Sequence, residues 1–199
     1  FAITCLFSLP ARSDPRETRG KANTLLKQGN WNEAYREFAG LARDPAAAQP
    51  GDVLYAVQCL QRLGRLDELD KFLEDCAEAN ADRWPILHQV AHEYYGAPHW
   101  GFMVAGEFHR GGHRGGGRRV HSQERDRVRA LQLMERARTL ALQDDSFESR
   151  DIAGLFANYA RFIIGYRGYH DAWRLQYLTD LSQLPDYAEG NPGYGGGGR

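Results

Sequence analysis

The chain has 199 residues, of which 42% are hydrophobic and 26% are charged, and its formal net charge is −1. A chain of this length can bury a substantial core, so one domain or one array of small repeats is expected. The near balance of charge argues against a nucleic-acid-binding domain as a whole, which is usually basic, and against a disordered acidic chain. The sequence contains no apolar run long enough to span a membrane.

The first ten residues, from Phe1 to Pro10, are apolar for the most part, and the sequence then turns polar. An apolar run of this kind resembles the end of a secretory signal peptide. We therefore expect residues 1–13 to be a signal-peptide remnant or a disordered start, and the protein to be exported to the periplasm, the cell surface or the medium. A short buried segment of a cytoplasmic protein is the alternative.

Helix signals begin at Asp14, which is followed by a proline and, three residues after the cap, by Glu17. This pattern predicts a helix to about Gln28. Asn30 starts a second capping pattern, and the helix that it predicts carries Ala34 and Phe38 on one stripe. Similar apolar stripes follow along the chain: Leu54, Val57, Leu60 and Leu63; Leu66, Leu69, Leu73 and Cys76; Ala130, Met134, Ala137 and Ala141; Leu155, Tyr159, Phe162 and Ile163; Ala172, Trp173, Tyr177 and Leu181.

Together these signals predict about eight helices in four hairpins, without strands. The first two hairpin turns, at Gly29 and Gly64, lie 35 residues apart. A helix-turn-helix unit of about 34 residues is typical of the tetratricopeptide repeat. Residues 27–45, "KQGNWNEAYREFAGLARDP", closely resemble the turn and second helix of that repeat, with weaker copies at 62–80, 126–142 and 168–181. The resemblance implies an all-α fold over residues 14–187, a solenoid of about four degenerate repeats.

The third hairpin contains an insertion at about residues 96–121, placed between a predicted helix from Trp84 to Tyr95 and a helix that starts after Ser122. A loop of this length inside a compact array is usually functional or disordered. Its aromatic residues are expected either to pack on the repeats or to form a protein-binding patch. The candidate partner-binding residues are Tyr94, Tyr95, Trp100, Phe102, Arg110, Arg114, Arg118 and Arg119.

Two other functions remain open for this histidine-, arginine- and glycine-rich region. His88 and His92 share a helix face, and with His109 or His113 from the insertion they could form a metal site. The stretch "HRGGHRGGGRR" resembles arginine-glycine motifs that bind RNA. Solvated histidines and a single-copy flexible loop are the simpler interpretation of both patterns.

The apolar start, the degenerate hairpins, the stretch "PHWGFMVAGEFHRGGHRGGG" and the glycine-rich residues 188–199 together resemble the N-terminal helical region of large bacterial proteins of the alpha-2-macroglobulin family. The resemblance implies an exported protein of protease-inhibitor type, with further domains joined through residues 188–199 as a linker. The thioester motif of that family, C-x-E-Q, does not follow any of the three cysteines. We therefore expect a non-enzymatic helical-repeat scaffold that binds a peptide segment or a neighbouring domain, without a cofactor or metal.

Overall fold

A computed structural model describes residues 14–165 and 180–189 of the chain. The described part contains seven α-helices and four short strands. The helices are α1 (Pro15–Lys27), α2 (Trp31–Ala42), α3 (Pro50–Leu63), α4 (Leu69–Ala79), α5 (Trp84–Gly96), α6 (Gln123–Ala141) and α7 (Ser149–Ile164). A single turn of 3₁₀ helix, Leu66–Glu68, precedes α4.

The first four helices follow the sequence signals closely. Asp14 caps α1 by accepting a hydrogen bond from the Arg16 amide at 2.9 Å, as a capping aspartate should. Gly29 has a φ of +78° in the turn between α1 and α2, a conformation that glycine adopts without steric cost. Gly64 ends α3 in the left-handed conformation. The helix predicted from Trp84 to Tyr95 is confirmed as α5, and Ser122 precedes α6 as predicted.

One apolar core joins the helices of the described region. The small residues Ala22, Ala34 and Ala130 are fully buried, which allows neighbouring helices to approach closely. Cys59 and Cys76 are buried free thiols within this core, as expected of small hydrophobic residues. The large side chains that fill it include Phe38, Phe72, Leu60, Leu69, Leu73, Ile86, Leu87, Met134, Leu155 and Phe162.

The insertion in the third hairpin is a β-sheet. Strands β1 (Trp100–Val104), β2 (Glu107–Arg110) and β3 (Arg118–His121) lie between α5 and α6, and β4 (Ala188–Glu189) joins them from the far end of the described chain. All neighbouring strands are antiparallel, in the order β2-β1-β3-β4. The all-α solenoid fold predicted from the sequence is therefore wrong, since the protein combines helices with a four-stranded sheet.

The physical reason for this error lies in the composition of the strands. The sequence of β1, "WGFMV", does not alternate between apolar and polar residues, and the strands around it are only four residues long. Glycine and arginine dominate the rest of the insertion, and both are typical of flexible loops. β1 and β2 pair locally across a turn at Ala105 and Gly106, whereas β4 joins β3 from the far end of the described chain. An argument from helical periodicity detects neither pairing.

Several predictions concern residues outside the described ranges. The signal-peptide remnant at 1–13, most of the fourth repeat at 168–181 and residues 190–199 of the predicted linker lie there. Residues 188–189, placed in the linker by the sequence, form β4. Among the helices of residues 14–165, none combines the length and the apolar character needed to cross a membrane.

Candidate functional site

The sheet is anchored to the helices by Arg110, the last residue of β2. Its side chain is 1% exposed, and its guanidinium donates to two carboxylates from two different helices. Asp70 of α4 accepts bonds of 2.9 Å from Nε and 2.6 Å from Nη2. Asp126 of α6 accepts bonds of 2.8 Å from Nη1 and from Nη2. The Pro98 carbonyl accepts a further bond from Nη1, also at 2.8 Å.

The two carboxylates offset the free-energy cost of burying the charged guanidinium. Burial acts to raise the pKa of Asp126, but hydrogen bonds from Arg110, His99 and Ser122 outweigh it and hold that pKa below its ordinary value. Burial likewise opposes the charge on Arg110, and the bonds to Asp126 and Asp70 raise its pKa above the ordinary value. Arg110 and Asp126 therefore form a buried ion pair, and the partly exposed Asp70 gives Arg110 a second acidic partner.

A second ion pair joins α4 to α6 beside the first. Arg129 donates to both oxygens of Glu74, at 2.8 and 2.5 Å, and the buried Tyr94 hydroxyl donates to Glu74 at 2.7 Å. Burial acts to raise the pKa of Glu74, but the bonds from Arg129 and Tyr94 lower it overall. Tyr94, a candidate partner-binding residue, is thus buried with its hydroxyl bonded inside the protein.

Two glycines allow the sheet to approach its neighbours closely. A Cβ atom on Gly101 would lie 2.6 Å from the Phe108 ring and would also meet the backbone carbonyl of His109. Gly111 has a φ of +81°, and a Cβ there would lie 2.9 Å from the Leu66 side chain, which precedes α4. These glycines therefore serve close packing of the hairpin rather than chain flexibility.

Side chains on the opposite side of the sheet are accessible to solvent. Phe102 pairs with His109 on β2 and with Arg119 on β3, and these three residues alternate along their strands with the buried Gly101, Arg110 and Val120. Because successive side chains of a strand point to opposite sides, the first three lie on the outer face. We call Trp100, Phe102, His109, His113 and Arg119 the outer face of the sheet.

Ring contacts organise the outer face. The Arg119 guanidinium lies 5.4 Å from the centre of the Trp100 ring, within the range of a cation–π interaction. The His113 ring lies 5.0 Å from His109 and 6.5 Å from Phe102. The four ring-bearing residues are partly exposed and Arg119 is exposed. This arrangement presents aromatic surface and positive charge together.

The candidate partner-binding residues thus separate into three groups. Arg110 and Tyr94 are buried, and their polar groups are bonded inside the protein. Tyr95 stacks on Phe162 of α7 with ring centres 4.0 Å apart. The remaining candidates lie on the sheet or its loop: Trp100, Phe102, Arg114, Arg118 and Arg119, of which Arg118 forms an ion pair with Glu189.

The candidate metal ligands occupy two separate environments. His88 of α5 contacts Asn158 of α7 through its Nε2 atom at 2.9 Å, and burial, with His92 and Arg161, lowers the pKa of His88 to about 4. Burial, with Arg161 nearby, also lowers the pKa of His92. His109 and His113 contact each other on the outer face. Within the described residues, no group of three or more histidine, cysteine, aspartate or glutamate side chains is arranged to hold a metal ion.

Sequence patterns did not identify the residues that position this surface. Asp70, Glu74, Asp126 and Arg129 resemble ordinary charged residues of helices, and only the fold shows that they meet Arg110 and Tyr94. Tyr187 was also missed, although its ring stacks on Phe108 at 4.4 Å beneath the sheet. The sequence offered one signal: Asp126 lies on the same face of α6 as the apolar residues that follow it. A single acidic residue on an apolar face does not identify a buried ion cluster.

Comparisons with known proteins do not identify a family. No family model matches the sequence, and neither a curated protein nor a solved structure matches the chain. The interpretation of the outer face therefore depends on its geometry and chemistry.

Proposed function

We propose that this protein is a non-enzymatic module that contacts another protein, or a neighbouring domain of a longer polypeptide, through the outer face of the sheet. One observation carries the proposal: rings and a guanidinium occupy the accessible side of a sheet whose other side is fixed by buried Arg110. Tryptophan, tyrosine and arginine are enriched among the residues that dominate binding energy. A surface that is already rigid loses little conformational entropy when it binds.

Charge indicates which kind of segment would bind. Arg114 and Arg119 are exposed and give this region positive charge. Glu107 is the acidic residue at the β2 end of this face. An acidic segment that also carries an apolar side chain would complement the outer face in charge and in apolar area. If the protein is exported and related to the alpha-2-macroglobulin family, as its sequence suggests, that segment would belong to a downstream domain.

Selection from a random dodecapeptide library against the purified full chain tests this proposal. We expect acidic peptides with an aromatic or aliphatic residue to be enriched, and the double variant Trp100→Ala/Arg119→Glu to bind them at least tenfold more weakly, about 1.4 kcal/mol. Arg136→Glu, an exposed charge reversal on α6, is the matched control and should bind like the wild type. Failure to enrich such peptides, or equal binding by the double variant, would contradict the proposal.

Nucleic acid is the second candidate because rings beside an arginine on a sheet also suit stacked bases. A fluorescein-labelled twelve-nucleotide uridine oligomer, measured by anisotropy, provides the comparison. Because oligomer binding depends on released counterions, a nucleic-acid site should lose affinity steeply as salt rises. Micromolar binding of the oligomer at about 0.15 M salt, lost in Trp100→Ala/Arg119→Glu, would replace the protein partner with single-stranded nucleic acid.

A further inference from the structure

The described residues 181–189 lie against the sheet and α6, and we call them the docked segment. They begin with a turn at residues 181–183 and end in strand β4. Gln132 of α6 donates to the Leu181 carbonyl at 2.7 Å, and Arg125 of α6 donates to the Pro185 carbonyl at 2.9 Å. Both contacts are made to main-chain atoms of the docked segment. Hydrogen bonds to main-chain atoms do not depend on the side chains of the bound segment, and many peptide-binding proteins obtain affinity from such bonds.

Two side chains of the docked segment are recognised individually. The Tyr187 ring stacks on the Phe108 ring with ring centres 4.4 Å apart, and the Arg125 guanidinium lies 4.8 Å from the centre of the Tyr187 ring. Glu189 forms an ion pair with Arg118 of β3. The side chains of Tyr187 and Glu189 are two residues apart, so in an extended segment they point to the same side. Their contacts with Phe108 and Arg118 would give the groove its specificity.

The last two residues of the docked segment extend the sheet. Ala188 pairs with His121 and Glu189 with Val120, so that β4 is an antiparallel edge strand beside β3. Addition of an extended chain to a sheet edge is a common mode of peptide recognition. The groove thus offers a strand edge on β3, a ring platform at Phe108 and polar side chains on α6.

Much of the docked segment is exposed, although Leu181 packs against the helical core. Its strand has two residues, and Ser182, Gln183, Asp186, Ala188 and Glu189 are exposed to solvent. Segments with little buried surface open at a free energy well below that of global unfolding. We therefore expect the docked segment to open before the helical core does.

We propose that this groove is a peptide-binding site for extended segments that carry a tyrosine followed two residues later by an acidic residue. The chain fills the groove with its own docked segment, and an external segment with the same pattern displaces it. The groove lies at the β3 edge and against α6, whereas the outer face is on the other side of the sheet. The proposal therefore stands independently of the function proposed above.

A fluorescein-labelled synthetic peptide with the sequence of residues 180–189 tests the groove. The full chain with Tyr187→Ala and Glu189→Ala loses both recognised side chains of its own segment. We expect the peptide to bind this double variant at least tenfold more tightly than the wild type, because the wild-type segment competes at an effective concentration in the millimolar range. Equal affinity for both chains, or no binding to the double variant at about 1 mM peptide, would overturn the proposal.

A charge-reversal experiment distinguishes binding in the groove from non-specific binding of the peptide. Adding Arg118→Glu to the double variant should weaken binding of the peptide at least fivefold, and a peptide carrying Glu189→Lys should recover most of the loss. A peptide carrying Tyr187→Ala should not bind either chain. Thermal unfolding midpoints close to that of the wild type would confirm that the variants are folded. Equal peptide affinity with and without Arg118→Glu would contradict the assignment of the groove. The double substitution Trp100→Ala/Arg119→Glu, which alters the outer face, should leave the affinity of the groove for the peptide of residues 180–189 unchanged.

Discussion

The helices α1 to α4 and the sheet at residues 100–121 are attached to the protein by different forces. The helices bury apolar side chains such as Phe38, Leu60 and Leu73. The sheet is connected to the helices by a buried guanidinium between two carboxylates from α4 and α6. Apolar contacts tolerate gradual change, since each lost methylene costs a little, whereas a buried charge that loses its partner is strongly unfavourable. The sheet should consequently detach in one step, and the helices should weaken by degrees.

The largest effect is expected at Arg110. Arg110→Ala removes the guanidinium and leaves Asp70 and Asp126 without their main partner, so we expect a loss of about 4 kcal/mol in the free energy of unfolding measured in guanidinium chloride. Amide hydrogen exchange should accelerate first in β1 to β3. The variant Arg110→Met/Asp126→Asn removes a positive and a negative charge together and should recover part of the loss. A loss below about 1 kcal/mol for Arg110→Ala would show that apolar packing holds the sheet after all.

A smaller and less localised effect is expected in the helices. Leu60 is fully buried on α3, so Leu60→Ala should cost about 3 kcal/mol through lost transfer energy and a cavity. Its exchange pattern should show faster opening across α2, α3 and α5 rather than in the sheet. Leu142→Ala, at a side chain that is 58% exposed, is the matched control and should change stability by less than about 0.5 kcal/mol. Selective loss of sheet protection in Leu60→Ala would contradict the distinction between the two regions.

The same distinction explains what the sequence could predict. The bounds of α1, α2 and α5 follow from caps, glycines and apolar stripes, all of which are local signals. Arg110 lies in a glycine-rich stretch that resembles a flexible loop, and its partner Asp70 is 40 residues away along the chain. A buried ion cluster has no period in the sequence, so neither the sheet nor the docked segment could be predicted. Trp100 and Phe102 were found as candidates because aromatic residues are unexpected in a free loop, and Arg119 because it lies in a positively charged arginine-glycine stretch.

Helix α5 lies between the two regions and contains both kinds of interaction, which makes it the place for the smallest and sharpest test. Burial raises the pKa of Glu93 from its ordinary value of 4.5 to about 7, against the opposing hydrogen bond from Gln89. Between these two pH values the folded protein keeps a proton that the unfolded chain has released. The contribution of Glu93 to the free energy of unfolding therefore falls as pH rises through this window, and the full penalty is reached well above pH 7.

Glu93→Gln removes the titrating group while keeping its size, so the variant should equal the wild type near pH 4 and exceed it by about 2 kcal/mol near pH 8. The lowered pKa of His88 destabilises the folded state as pH falls from 6.5 towards 4, but it is present in both chains and cancels in the difference. Glu78→Gln, at an exposed position on α4, should reproduce the wild-type pH profile. A constant difference between Glu93→Gln and the wild type from pH 4 to 8 would mean that Glu93 titrates normally, and that this protein tolerates a partly buried charge even without the opposite charge that Arg110 has.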